Sequence, residues 1–151
     1  MEMITRSRYA VEKIGVHDLS EHKEIDNQVL IDEILAQGDR IGYKSNVKAP
    51  MTEWNMCYES IEFQKLANII VRDCVVPYLG AYFNNLEDIK RHQYAVVDMW
   101  GADYRGNGED FTQKHDHRMA RCAFSYYLQT PEGCPPLFFD DMRTEIHPKP
   151  G

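Results

Sequence analysis

Two histidines separated by one residue are the side chains of this chain best suited to chemistry. His115 and His117 lie within the run QKHDH, in a segment whose composition predicts a β-strand. Successive side chains of a strand point to opposite faces, so the two imidazoles should share one face while Asp116 points to the other. Two neighbouring imidazoles suit a divalent transition metal. The spacing therefore predicts half of a metal site; the competing interpretation is a polar pair on an exposed edge strand.

A metal site with only two protein ligands is weak, so a third ligand is needed for tight binding. His92, which precedes a predicted strand at residues 93–100, and His147, which ends the last predicted strand, are the candidates. The sequence places neither of them beside the pair. A three-histidine site is therefore kept as an alternative.

The elements that must hold the pair are helices followed by a run of short strands. Residues 26–37 have apolar side chains at helical spacing before Gly38, and a second helix should begin after Ser60 and bend or end at Pro77. Strands are predicted at residues 11–17, 93–100, 111–117, 121–129, 137–140 and 143–147, with a glycine-rich loop at 101–110 and a proline-rich turn at 130–136. This order indicates an α+β fold with a helix-backed β-sandwich or barrel.

Length and composition narrow the possible classes. The chain has 151 residues, the length of one domain, and its net charge of −7 argues against a nucleic-acid partner, which needs a basic surface. The four cysteines contain no C-x-x-C pair, the first ten residues have no apolar run, and no apolar stretch approaches the roughly 20 residues of a membrane helix. We therefore expect reduced thiols, no signal peptide, no membrane segment and a cytoplasmic location.

A series of motifs in the second half of the chain resembles one enzyme family. The series comprises Asp98-Met99-Trp100 at the end of an aromatic strand, the glycine-rich loop, the His115-x-His117 pair, the strand at residues 123–128, the turn ending in Pro136-Leu137-Phe138-Phe139, and residues 146–151. In order and spacing it resembles the iron(II)- and 2-oxoglutarate-dependent dioxygenases, especially small phage and marine-bacterial members related to prolyl hydroxylases. The resemblance covers residues 93–151 well and 20–92 loosely.

The resemblance implies both a fold and an activity. The fold would be a double-stranded β-helix (jelly-roll, cupin-like) in a single domain, with helices over residues 1–90 supporting a β-core over 91–151. The activity would be 2-oxoglutarate-dependent hydroxylation of an unknown substrate in the cytoplasm of a bacterium or a phage-infected host. His115 and His117 would bind iron(II), and Tyr127 and Trp100 would bind 2-oxoglutarate. The structural interpretation of Tyr127 and Trp100 is ordinary core packing, and no further catalytic residue is assigned.

Two departures from the family pattern keep other functions open. The family usually has Asp or Glu where this chain has His117, and its distal histidine and basic 2-oxoglutarate anchor follow a motif like Pro148-x-x-Gly151, so the C-terminal strands are expected to be missing. One alternative is a non-catalytic jelly-roll binding or assembly module, possible as a homodimer through an open sheet edge. The other is a cupin-like metalloprotein with three histidine ligands.

Overall fold

The computed structural model of the chain describes residues 2–7, 11–37, 46–106, 108–117 and 119–151. These residues belong to two units. The first unit comprises Met1–His22, Ile69–Tyr94 and Tyr126–Gly151, and the second comprises Lys23–Asn68 and Ala95–Ser125. In the described ranges the strands form three antiparallel pairs. The double-stranded β-helix implied by the resemblance stays a prediction.

The first unit begins with a β-hairpin that packs on a helix. Strands β1 (Glu2–Ser7) and β2 (Val11–Val16) are antiparallel, with Glu2 opposite Val16 at one end and Ser7 opposite Val11 at the other. The hydroxyl of Tyr78 donates to the backbone oxygen of Lys13 at 2.8 Å. The Nζ atom of Lys13 donates in turn to the backbone oxygen of Tyr82 at 3.1 Å and lies over the Tyr82 ring. The strand predicted at residues 11–17 is thus confirmed, whereas β1 was not predicted.

The second predicted helix is present and runs further than expected. Ser60 Oγ accepts the Phe63 N–H at 3.2 Å, and the helix begins after Ser60 as predicted. Helix α1 comprises Asn27–Ala36, α2 Met56–Glu59 and α3 Ile61–Ile69. The helix that begins with α3 continues to Phe83. A π-helical segment, Ile70–Val75, links α3 to α4 (Val76–Phe83).

Pro77 shapes this helix without ending it. Proline has no backbone N–H, and its ring would collide with the carbonyl four residues earlier in a regular α-helix. One turn before it the helix widens, so that the Val76 N–H bonds to the Val71 oxygen, five residues back. The sequence predicted that the helix bends or ends at Pro77, and the second of these alternatives is wrong because α4 continues to Phe83. The helix ends instead at Asn84, whose φ of 53° is left-handed, and Asn85 caps α5 (Leu86–Lys90) by accepting the Asp88 N–H.

The helix from Ile61 to Phe83 has 23 residues, and its length and composition alone would allow it to cross a membrane. Buried helices of water-soluble proteins pass the same test, and the adjacent charges of Arg72 and Asp73 lie inside this one. The sequence had predicted no apolar stretch of this length. The sequence had placed the bend or end of this helix at Pro77, so residues 61–83 were not considered as one helix.

The end of the first unit contains a second hairpin. Strands β5 (Leu137–Phe139) and β6 (Thr144–Ile146) are antiparallel and confirm the strands predicted at residues 137–140 and 143–147. The proline-rich turn before them is confirmed as well. The Cys134 N–H bonds to the Pro131 oxygen at 3.0 Å around Gly133, whose φ of 80° is the conformation that a type II turn requires at this position.

In the second unit, helix α1 packs on the chain segment around Gly101. Asp26 caps α1 by accepting the N–H groups of Gln28 and Val29 at 3.1 and 3.2 Å, so the helix predicted at residues 26–37 is confirmed. Gly38, its predicted stop, lies outside the described residues. A Cβ atom at Gly101 would overlap Cγ1 and Cδ1 of Ile34, so only glycine allows this approach.

The core of the second unit forms around a short ladder. Strand β3 (Val47–Lys48) pairs with β4 (Phe111–Thr112), and buried Val47, Ala49 and Met51 pack against Trp100. The strand predicted at residues 111–117 is thus shorter than expected. No ladder strand occurs at residues 93–100 or 121–129, which are described in full, although Met99 forms an isolated bridge with Asn55. Those two strand predictions are wrong.

Candidate metal site at His115 and His117

The histidine pair follows directly from the end of the β3–β4 ladder. Beyond the last paired residue, the Gln113 N–H donates to the backbone oxygen of Asn46 at 2.8 Å. The hydrogen bond continues the ladder by one step. The Gln113 peptide is therefore anchored to the β3–β4 ladder, and the segment with His115 and His117 follows directly after it.

The two imidazole rings lie against each other. The Nε2 atoms of His115 and His117 are 3.1 Å apart, and the ring centroids are 4.8 Å apart with the ring planes inclined by 70°. The two rings lie together although residues 113–117 form no strand, so the strand alternation expected from the sequence does not account for their contact. Metal–nitrogen bonds of about 2.1 Å at angles of roughly 90–109° place two ligand nitrogens about 3.0–3.4 Å apart. The observed separation falls in that range.

A backbone carbonyl fixes the protonation of His115. Its Nδ1 atom lies 2.8 Å from the backbone oxygen of Gln113. A carbonyl oxygen only accepts hydrogen bonds, so Nδ1 carries the proton and, in the neutral ring, Nε2 keeps its lone pair. Metal-binding histidines typically donate their second ring nitrogen to a carbonyl or carboxylate in this way. The Nε2 atom of a neutral His115 therefore accepts the hydrogen bond that His117 Nε2–H donates across the 3.1 Å contact. For both Nε2 atoms to bind one ion, His117 would have to carry its proton on Nδ1 instead.

The surroundings of the pair are open. Both histidines are exposed, and a small cavity of the same unit is lined by Ile34, Leu35, Pro50, Asp103 and Arg105 rather than by the pair. Among the residues that the structure describes, no three His, Cys, Asp or Glu side chains converge as a metal site. An ion at the pair would have two protein nitrogen ligands, and its other positions would be left to solvent or small molecules.

Trp100 belongs to the same unit as the pair but packs in its core. Its ring lies 4.5 Å from that of Trp54, centroid to centroid, with the planes inclined by 58°. It also packs against the cluster formed by Val47, Ala49 and Met51. These contacts match the structural interpretation of Trp100, and its role in binding 2-oxoglutarate stays a prediction.

The remaining candidate residues belong to the first unit. Tyr127 is half-buried, and its backbone oxygen accepts the Gly151 N–H at 2.9 Å. His92 Nδ1 lies 2.9 Å from the Asp88 oxygen, and His147 Nε2 lies 4.0 Å from Glu145 Oε2. The cosubstrate role of Tyr127 and the third-ligand roles of His92 and His147 stay predictions.

The four cysteines are free, and three of them are poor nucleophiles. Burial raises the pKa of the Cys74 thiol to about 11, with the Asp73 carboxylate adding to the effect. Burial likewise raises the pKa values of Cys57 and Cys122. Since the thiolate is the reactive form, these three residues are structural thiols.

Sequence reasoning missed one charged cluster and one supporting group. In the first unit, the Asp73 carboxylate lies 2.6 Å from Arg72 Nη2 and 3.5 Å from His22 Nε2, and the hydrogen bond from Arg72 lowers the pKa of Asp73. His22 lies far from Asp73 in the sequence, so no spacing rule predicts their contact. The Gln113 carbonyl was also missed, although a partner two residues before a ligand is a local signal.

Comparison of the chain with protein-family models, with curated proteins and with solved structures gave no match in any of the three.

Proposed function

We propose that this chain is an iron(II)- and 2-oxoglutarate-dependent oxygenase domain in which His115 and His117 bind the metal. The observation that carries the proposal is the 3.1 Å separation of the two Nε2 atoms, together with the proton held on His115 Nδ1 by Gln113. The order of the residue motifs around the pair supports the family assignment, whereas two of the strands predicted within that series form no ladder. Tyr127 and Trp100 are the proposed contacts of the cosubstrate.

His115 matches one of the three protein ligands that a site of this class uses, and His117 stands where the family usually has a carboxylate. Iron(II), when bound, would supply the redox chemistry that dioxygen activation needs. The chain itself contributes ligand orientation, because the Gln113 peptide holds the ring of His115 and its tautomer. The exposure of both rings leaves coordination positions open for exchangeable ligands.

The proposed reaction balances without further cosubstrates. Dioxygen and 2-oxoglutarate would be converted to succinate and carbon dioxide, with one oxygen atom entering the new carboxylate of succinate. The other oxygen atom would enter a C–H bond of the substrate as a hydroxyl group. No side chain described above indicates the class of the substrate.

Succinate formation tests the proposal. The purified chain is incubated with iron(II), 2-oxoglutarate and ascorbate, and succinate is measured against a reaction without protein. We expect turnover that His115→Gln and His117→Gln each abolish, whereas Lys114→Gln, a change of an exposed neighbour, leaves it unaltered. Turnover that survives both histidine variants, or no turnover by the unmodified chain, would overturn the proposal.

A further inference from the structure

Three exposed apolar side chains of the second unit, Trp54, Tyr58 and Val97, form what we call the aromatic surface. Tyr58 on α2 is 66% exposed, Val97 is 71% exposed and Trp54 is 44% exposed. A single exposed apolar side chain is common on water-soluble proteins. Tyrosine and tryptophan grouped on one surface are instead typical of protein interfaces.

Hydrogen bonds and a ring contact hold the aromatic surface together. The Tyr58 hydroxyl donates to the backbone oxygen of Val96 at 3.2 Å, so the Tyr58 side chain reaches from α2 to the residue before Val97. The Met99 N–H donates to the Trp54 oxygen at 2.8 Å, which fixes the same segment beside the start of α2. The Trp54 ring contacts that of Trp100. Because these side chains are already ordered, a partner loses less conformational entropy by docking on them.

The two chain segments that form the aromatic surface carry charges of one sign. Residues 53–62 and 95–100 contain no lysine or arginine and four acidic residues, Glu53, Glu59, Glu62 and Asp98. Lys65 pairs with Glu62 at 2.6 Å and offsets that charge. Burial raises the pKa of the Cys57 thiol on α2, and the negative charge of Asp98 adds to the effect. Glu59 ends α2, and both Glu59 and Asp98 are exposed.

The sign of these charges selects the partner. Nucleic acid and anionic lipid surfaces are repelled by carboxylates. Two copies of the chain meeting through this same surface would bring their own carboxylates together, which is also unfavourable. Arginine is attracted by carboxylates, and its planar guanidinium group stacks on aromatic rings.

We infer that the aromatic surface binds a segment of another protein in which arginine alternates with apolar residues. Guanidinium groups of the segment stack on the Tyr58 and Trp54 rings and pair with Glu59 and Asp98, and its apolar side chains cover Val97. The aromatic surface contains neither histidine of the candidate metal site, so this binding is independent of the proposed oxygenase activity.

Isothermal titration with a short synthetic peptide of alternating arginine and leucine tests the inference. We expect one-to-one binding to the unmodified chain, and binding about fivefold weaker to Tyr58→Ala, which removes one stacking ring. Phe138→Ala removes an exposed aromatic side chain of the first unit and should bind the peptide as the unmodified chain does. Circular dichroism confirms that each variant is folded.

A matched pair of double variants separates local charge from net charge. Glu59→Gln combined with Asp98→Asn should weaken peptide binding by about threefold or more, since two exposed ion pairs are lost. Glu87→Gln combined with Glu132→Gln removes the same charge from exposed positions of the first unit. At about 0.15 M salt distant charges are screened, so this control should bind nearly as well as the unmodified chain. A peptide with glutamate in place of arginine should not bind.

Four results would overturn the inference. They are no binding of the arginine–leucine peptide, equal affinities of Tyr58→Ala and Phe138→Ala, equal losses in the two double variants, and binding of the glutamate peptide. A fifth is a dimer of the unmodified chain, measured by sedimentation equilibrium, that Tyr58→Ala dissociates, because a second copy would then occupy the aromatic surface. None of these results changes the expected formation of succinate.

Discussion

The backbone carbonyl of Gln113 accepts the Nδ1 proton of His115 at 2.8 Å, while the N–H of the same residue donates to Asn46 at 2.8 Å. Gln113 therefore ends the β3–β4 ladder and orients the first candidate ligand. A change in the ladder at this point should therefore alter the position of the His115 ring. Side-chain chemistry at residue 113 should matter much less than its backbone.

Gln113→Pro should weaken iron(II) binding by about tenfold, the loss typical of removing an outer support of a metal ligand. Proline removes the N–H that anchors the peptide to Asn46, so the carbonyl that holds His115 is no longer fixed. Gln113→Ala keeps both backbone groups and serves as the control, with unchanged affinity. Calorimetric titration of both variants measures the difference; equal affinities would show that the ladder does not support the pair.

Gly101→Ala should destabilise the chain by about 1–3 kcal/mol, the usual cost of overpacking a tight contact. The added methyl group would overlap Ile34 on α1, and the Gly101 backbone is held by hydrogen bonds of 3.0 and 3.1 Å to Thr52, so it cannot easily withdraw. Urea unfolding followed by circular dichroism measures the loss. Shortening Ile34 to Ala removes the overlapping atoms, so the double variant should lose less stability than the sum of the single changes. Additive losses would contradict the contact.

Asp26→Ala should lower the free energy of unfolding by about 1 kcal/mol, because two N–H groups at the start of α1 lose their acceptor. Asp26→Asn retains a side-chain oxygen and should cost only a few tenths of that. Urea titration of the two variants at one pH gives the comparison. An Asn variant as unstable as the Ala variant would mean that charge, rather than capping, is what Asp26 contributes.

The buried thiol of Cys74 should make stability depend on alkaline pH. Its pKa rises from 9.0 in the unfolded chain to about 11 in the folded one, so the unfolded chain releases the proton first as the pH increases. The free energy of unfolding should therefore be unaffected below about pH 9 and fall between about pH 9 and 11, by at most about 1.4 kcal/mol per pH unit for one proton.

Cys74→Ala removes this group, so its stability should fall less steeply over the same pH interval. The comparison with the unmodified chain matters because Cys57 and Cys122, whose pKa values are also raised, contribute a slope of the same sign in both proteins. Urea unfolding of each protein at about pH 8 and about pH 10 gives the change in its free energy of unfolding with pH. Identical slopes would show that Cys74 is not the titrating group.

Local signals in the sequence predicted local structure well. The helix after Asp26 and the hairpin formed by β5 and β6 depend on residues within a few positions of each other, and caps, spacing and turn residues identify them. The Ser60 cap is of the same kind. Short helices such as α2 and α5 were missed because four or five residues do not establish a period.

Long-range pairing could not be predicted in the same way. The partner of Phe111 in the ladder is Lys48, and nothing in the composition of either segment identifies the other. Residues 121–129 have the residue types of a strand, and alternate exposed and half-buried side chains from 121 to 126, but they gain no ladder partner. Strand propensity describes a suitable surface, whereas a ladder also needs a neighbour.

The candidate site also combines local features, which can be predicted from the sequence, with long-range ones, which cannot. The rings of His115 and His117 lie together although residues 113–117 form no strand, since only one residue separates the two histidines. The support from Gln113 is equally local and could have been read from the sequence. Any further ligand would come from a distant segment of the chain. The sequence identified His92 and His147 as candidates by their residue type but could not predict their positions.

The contact between Trp54 and Trp100 has a practical consequence for any study of this chain. They are its two tryptophans, and both lie in the second unit. Tryptophan emission therefore reports on that unit alone and should stay constant if only the first unit unfolds. A melting curve recorded by fluorescence, compared with one recorded from the helices of both units, would show whether the two units lose their structure together or in separate steps.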